Sequence, residues 1–201
     1  MKIVLLGATG AVGHATLQLA LADARIGSVV APTRRALTSH AKLSNPMGEL
    51  AQLPTADAVL CALGTTIRKA GSQAAFRAVD HDLVLRLLQA ARDAGTPTAA
   101  LVSSLGASAR GNFYLRTKFE IEQGAAALGF RSLTILRPSM IDTERSESRP
   151  AERIGLLAMR AFAPLIPRAY RAVSAVAIAQ RLLDAARVGS PGVSLVESAD
   201  I

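Results

Sequence analysis

Met1-Lys2-Ile3-Val4-Leu5-Leu6-Gly7-Ala8-Thr9-Gly10-Ala11-Val12-Gly13 runs from an apolar stretch into three glycines and then into an apolar helical pattern. A strand, a glycine turn and a helix start in that order form a site for dinucleotide phosphates. Gly7 allows the tight turn, Gly10 lets backbone approach the diphosphate, and Gly13 lets the helix pack close to the strand. The phosphates then meet unpaired N–H groups at the positive end of the helix. Gly7, Thr9, Gly10, Ala11, Val12 and Gly13 are therefore the first candidate cofactor-binding residues. Glycines also mark ordinary turns, so the weight of the reading lies in their place directly behind a strand.

Working outward, short apolar runs alternate with helical runs. That alternation predicts an α/β fold: a Rossmann-type doubly wound parallel sheet with helices on both faces. Strands are expected at Lys2–Leu6, Ser28–Thr33, Asp57–Leu63, Thr98–Ser103, Arg131–Leu136 and Val193–Val196. Helices are expected at Ala11–Asp23, Gln73–Ala94, Phe113–Leu128 and Ser174–Ala186, with Asn112 a cap and Gly129 a stop signal. Ala36–Leu53 is the least regular part, with a short strand expected near Gly48–Leu53. Beyond Pro138 the pattern changes to a polar loop over Ile141–Pro150, an amphipathic helix over Glu152–Phe162 and a rigid turn between Pro164 and Pro167. Residues 1–201 read as a single NAD(P)-binding domain, of which 138–201 form a short substrate-side elaboration.

Composition narrows the function classes. Half the residues are apolar, enough for a core without disulfides. Cys61, the single cysteine, lies in an apolar run and reads as a small buried hydrophobe. No stretch reaches the roughly 18 apolar residues of a membrane span, and with a strand and phosphate loop at the start no signal peptide is expected. A cytoplasmic location is the default expectation. His14, His40 and His81 lack metal-ligand spacing, so no metal is expected. The net charge of +8 comes mostly from arginine. The arginines are scattered and aromatic residues are few, so a solvated basic surface is the better reading than a nucleic-acid site.

The end of the second strand bears on the cofactor. An NAD site usually carries an acidic residue there for the ribose hydroxyls. Here the residues are Pro32-Thr33-Arg34-Arg35. Arginines suit a 2′-phosphate through charge-assisted, often bidentate bonds. NADP(H) is expected in preference to NAD(H), with Arg34 on the phosphate and Arg35 sharing it or stacking on adenine. The alternative is that one or both are surface arginines.

Tyr114 and Lys118 lie four apart in the helix after the fifth run, on one helical face. Tyrosine is a poor base near neutral pH, and a nearby ammonium favours its phenolate. Ser104, at the end of the preceding strand, can hydrogen-bond a carbonyl or alcohol. Beside a hydride donor, Ser104, Tyr114 and Lys118 make a proton-transfer device. Tyr114 would be the acid in reduction and the base in oxidation.

With these residues in view, the chain resembles the short-chain dehydrogenase/reductase superfamily, in its extended or atypical branch. The resemblance is carried by the glycine loop, by Cys61-Ala62-Leu63-Gly64-Thr65-Thr66, Lys69-Ala70-Gly71 and Val79-Asp80. It continues through Val102-Ser103-Ser104-Leu105-Gly106-Ala107, Asn112-Phe113-Tyr114-Leu115-Arg116-Thr117-Lys118, Leu136-Arg137-Pro138 and Glu147-Ser148-Arg149-Pro150. It implies a Rossmann fold binding NADP(H) and a Ser104/Tyr114/Lys118 set, with Ser103 the alternative serine. Ala62, Leu63 and Gly64 would pass beneath the adenosine and ribose. Pro138 and Ser139 would lie near the nicotinamide, with Met140 on the same wall. Asp80 stands where the family often has asparagine; it either pairs with Lys118 or faces solvent.

The expected function is an NADP(H)-dependent oxidoreductase of a small or medium carbonyl or alcohol substrate. The alternative is a non-catalytic, NADP(H)-responsive regulatory protein. Arg145, Arg149 and Arg168 could hold an anionic substrate tail or simply face solvent. Both monomer and homodimer are compatible with the chain.

Overall fold

The computed structural model describes residues 1–48, 52–142 and 167–201. Its main sheet has seven parallel strands in the order β3-β2-β1-β4-β5-β6-β9. These are β1 (Lys2–Leu6), β2 (Ser28–Val30), β3 (Leu43–Ser44), β4 (Ala58–Cys61), β5 (Thr98–Val102), β6 (Ser132–Arg137) and β9 (Gly192–Glu197). A separate parallel pair joins β7 (Ile141–Asp142) to β8 (Val173–Ser174). The chain builds outward from β1 to β3 on one side, then returns and builds from β4 on the other. Ligands of such sheets bind beyond the carboxyl ends of the strands at this reversal, here between β1 and β4.

The central strands β1, β4 and β5 are buried on both faces, which explains why they read as continuous apolar runs rather than alternating ones. Helix α1 (Ala11–Ala22) packs on one face beside α6 (Ala175–Val188), through Leu17, Ala20, Ile178 and Leu182. On the other face lie α4 (Val84–Asp93) and α5 (Phe113–Ala127), through Val84, Leu88, Ile121 and Ala125. Asn112 caps α5 by accepting the Leu115 N–H at 3.0 Å. Asp57 accepts the Lys2 N–H at 2.6 Å and fixes the start of β4 against β1.

Several elements differ from expectation. The second strand ends at Val30 rather than Thr33, because Pro32 has no N–H to donate. A short strand not expected from the sequence, β3, lies at Leu43–Ser44 and is extended by an isolated Thr33–Met47 bridge; the strand expected near Gly48–Leu53 centres on residues 49–51, outside the described residues. A short helix, α2 (Ile67–Ala70), precedes α3 (Gln73–Arg77). The long helix expected from Gln73 is interrupted by a π-helical segment at Ala78–Leu83. Within 138–201, β9 is the last strand of the main sheet and α6 packs on the face that carries α1. The Glu152–Phe162 helix, the Pro164 end of the turn, Arg145 and Arg149 fall outside the described residues. No helix among the described residues is long and apolar enough to cross a membrane.

Candidate active site

Gly7 has φ +88°, a conformation that side chains resist, and a Cβ there would lie 2.6 Å from the Leu63 nitrogen. A Cβ on Gly13 would meet the Gly7 carbonyl oxygen at 2.0 Å. These glycines are what allow β1, the β4 end and α1 to converge. Gly10 is different: its nearest such contact is 3.4 Å, an ordinary van der Waals distance, so the protein itself does not exclude a Cβ there. Gly10 also caps α1, with no side chain on the first-turn N–H groups and no acidic residue in that turn. The N–H groups of Ala11, Val12 and Gly13 therefore suit an anion.

Beside the turn is a cavity of about 450 Å³ lined by Leu6, Gly7, Thr9, Arg34, Leu63 and Leu87, among others. The sequence-derived Gly7, Thr9, Arg34 and Leu63 are thus brought together. Arg34 is exposed at the rim. Arg35 is exposed and not among the lining residues; its carbonyl accepts the Thr33 hydroxyl at 2.6 Å. The dimensions and lining fit the adenosine half of a dinucleotide: apolar walls, a phosphate turn and two cations, Arg34 and Arg86.

The β4 end leads from this turn to the candidate chemistry. Ala62 and Leu63 touch Gly7, whereas a Cβ on Gly64 would sit 3.1 Å from Asp80 Oδ1. Asp80 lies in the π-helical segment, a type of distortion frequent at functional sites. It is buried. One oxygen accepts Lys118 Nζ at 2.7 Å and the other accepts the Thr65 N–H at 2.7 Å. Of the two roles open to Asp80 in the sequence, the structure has the ion pair.

Lys118 Nζ also lies 5.8 Å from the centre of the Tyr114 ring. Tyr114 is half-buried, and its ring packs at 5.4 Å on Phe76, which is wholly buried. Phe76 was not singled out by sequence reading, although it lies four residues before Asp80.

The two candidate serines separate clearly. Ser103 is buried and donates to Glu122 at 2.5 Å. Ser104 is half-buried, and among the described residues its hydroxyl makes only a long 3.4 Å contact with the Leu105 carbonyl. Ser104 is therefore the serine with a hydroxyl to offer. Glu122 also takes two bonds from Arg137, at 2.9 and 2.6 Å, and Arg137 reaches Glu197 at 3.1 Å. The Glu122 carboxylate beside it raises the pKa of the Arg137 guanidinium. This network ties α5 to β5, β6 and β9 under the site. A glutamate four residues after a helical lysine and an arginine at a strand end were its only sequence signals.

Pro138 is buried, and its carbonyl accepts the Leu105 N–H at 2.8 Å. The Ser139 hydroxyl donates to the Arg171 carbonyl, and its N–H donates to Ser198 at 3.1 Å. Met140 is largely exposed. Cys61 is buried, and burial pushes its thiol up to about 11, which leaves it neutral and unreactive.

A comparison with protein-family models finds no match. Rat HTATIP2 is 31% identical over 211 residues, spanning 98% of this chain and 84% of its own length. The chain belongs to the short-chain dehydrogenase/reductase superfamily. Within it, this is an atypical member resembling HTATIP2. Fmp52 of Emericella nidulans is 39% identical over 170 residues, 76% of this chain and 72% of its own. Among solved structures, MoeE5 in complex with UDP-glucose and NAD matches 97% of this chain and 75% of its own with TM-score 0.72 at 18% identity. A short chain dehydrogenase family protein from Francisella tularensis matches 98% of this chain and 97% of its own with TM-score 0.69 at 14% identity. These solved structures share the fold of this short-chain dehydrogenase/reductase. The cytoplasmic expectation is corrected: the Fmp52 relatives are named as mitochondrial proteins.

Proposed function

We propose that this chain is an NADP(H)-dependent oxidoreductase that interconverts a small or medium carbonyl compound and its alcohol. The observation that carries the reading is the cluster of Tyr114, Lys118 and Asp80, joined to the glycine turn by the β4 end. NADPH, when bound, supplies the hydride. The residues that would hold it are Gly7, Thr9 and Gly10–Gly13 at the diphosphate and Ala62–Gly64 and Pro138 along its length. Arg34 would take the 2′-phosphate, and Lys118 the nicotinamide ribose.

In reduction, Ser104 donates a hydrogen bond to the substrate carbonyl oxygen and orients it. Tyr114 then delivers its hydroxyl proton to that oxygen. The Lys118 ammonium stabilises the phenolate left behind, and Asp80 keeps that ammonium in place. An anionic group on the substrate suits an open groove of about 580 Å³ lined by Arg168, Arg171 and Arg181, with Asp200 also on its wall. Ser139 and Ser198 connect that groove to the Pro138 end of β6.

The function is tested by following NADPH oxidation with a panel of aldehydes and ketones. Carbonyl-dependent turnover is expected; tight NADPH binding with no turnover on any of them would favour the regulatory alternative. Arg34→Ala is expected to weaken NADPH about tenfold, because a charge-assisted bond at an exposed site is partly screened. NADH, lacking the phosphate, should be unaffected in the same titration.

A further inference from the structure

Asn45, just past β3, uses both ends of its amide. Nδ2 donates to the Ala31 carbonyl at 2.7 Å and to Thr33 Oγ1 at 2.7 Å, while Oδ1 accepts the Leu37 N–H at 2.8 Å. The Thr33 hydroxyl passes the connection on by donating to the Arg35 carbonyl. Backbone bonds from the Thr33 N–H to Pro46 and from the Gly48 N–H to Thr33 close the same loop. One side chain thus grips the chain on both sides of Arg34. The guanidinium itself is left exposed, at the rim of the cavity that holds Gly7 and Thr9.

The amide is the group this position needs. Two acceptors face its nitrogen and one donor faces its oxygen. An aspartate would lose both donors and set a carboxylate against the Ala31 carbonyl. An alanine would lose the clamp and leave residues 31–37 to be ordered when ligand binds, at an entropic cost.

We propose that Asn45 is a specificity-determining residue for the dinucleotide: it pre-orders the Arg34 loop for the ribose 2′-phosphate. This rests on the reading of Arg34 given above. A nucleotide without that phosphate meets the loop only through the cavity wall at Pro32 and Thr33 and does not need the Arg34 guanidinium in place, so Asn45 acts on the choice between NADPH and NADH.

The test is calorimetric titration of the wild-type chain and Asn45→Ala with NADPH, NADH, 2′,5′-ADP and 5′-AMP. Asn45→Ala is expected to weaken NADPH and 2′,5′-ADP about tenfold, the scale of ordering one or two side chains on binding. NADH and 5′-AMP should stay within about twofold, a change too small to reflect a lost hydrogen bond. Thr33→Val, which removes only the hydroxyl, should shift the same ratio less and serves if Asn45→Ala fails to fold. Equal weakening of all four nucleotides would assign Asn45 a merely structural role and overturn the inference. A selective wild type with both variants equally selective would overturn it while leaving Arg34 standing. A wild type that does not distinguish NADPH from NADH would remove the Arg34 reading and the Asn45 inference with it.

Discussion

Tyr114→Phe is expected to lower carbonyl-dependent NADPH oxidation by about 10²- to 10⁴-fold, the usual contribution of a positioned acid. The substitution deletes one hydroxyl and keeps the ring. Phe76 beneath it loses no packing, since the contact at 5.4 Å is between rings. Lys118 remains fixed by Asp80. Nucleotide affinity should therefore stay near that of the wild type while kcat falls, a pattern that separates proton delivery from binding. Steady-state kinetics combined with NADPH titration reads both quantities. Unchanged kcat would remove Tyr114 from the chemistry.

Asp80→Ala is expected to destabilise the chain by about 3–5 kcal/mol, because it strands a buried ammonium without its counter-charge. Lys118 and Asp80 are both buried, so water cannot replace the lost partner. The Thr65 N–H loses its acceptor as well. Denaturant unfolding measures the loss directly. Asp80→Ala combined with Lys118→Met should recover part of it, since the penalty belongs to the isolated charge rather than to the missing contact. A single variant as stable as the wild type would show that the ion pair contributes little to the fold.

The elements legible in the sequence are those set by local rules. The β1 run, the Gly7–Gly13 turn and the start of α1 sit within thirteen consecutive residues. The Asn112 cap and the shared face of Tyr114 and Lys118 are equally local. What the sequence left open depends on contacts across the chain. Ser103 and Ser104 are adjacent, and Glu122, nineteen residues from Ser103, separates their roles. Asp80 meets Lys118 across 38 residues, from a π-helical segment that has no local signature. The end of β2 was misplaced because Pro32 and the Asn45 clamp divert a run whose apolar pattern continues. The compartment depended on the relatives and not on the chain's own residues.

Central to the proposed function is a nicotinamide dinucleotide that the Gly7–Gly13 turn would hold. Calorimetric titration of the wild-type chain with NADPH and with NADH tests that most directly. One NADPH bound per chain, more tightly than NADH, is the expected result. No binding heat from either nucleotide, with the protein folded, would contradict the cofactor site and the oxidoreductase reading built on it.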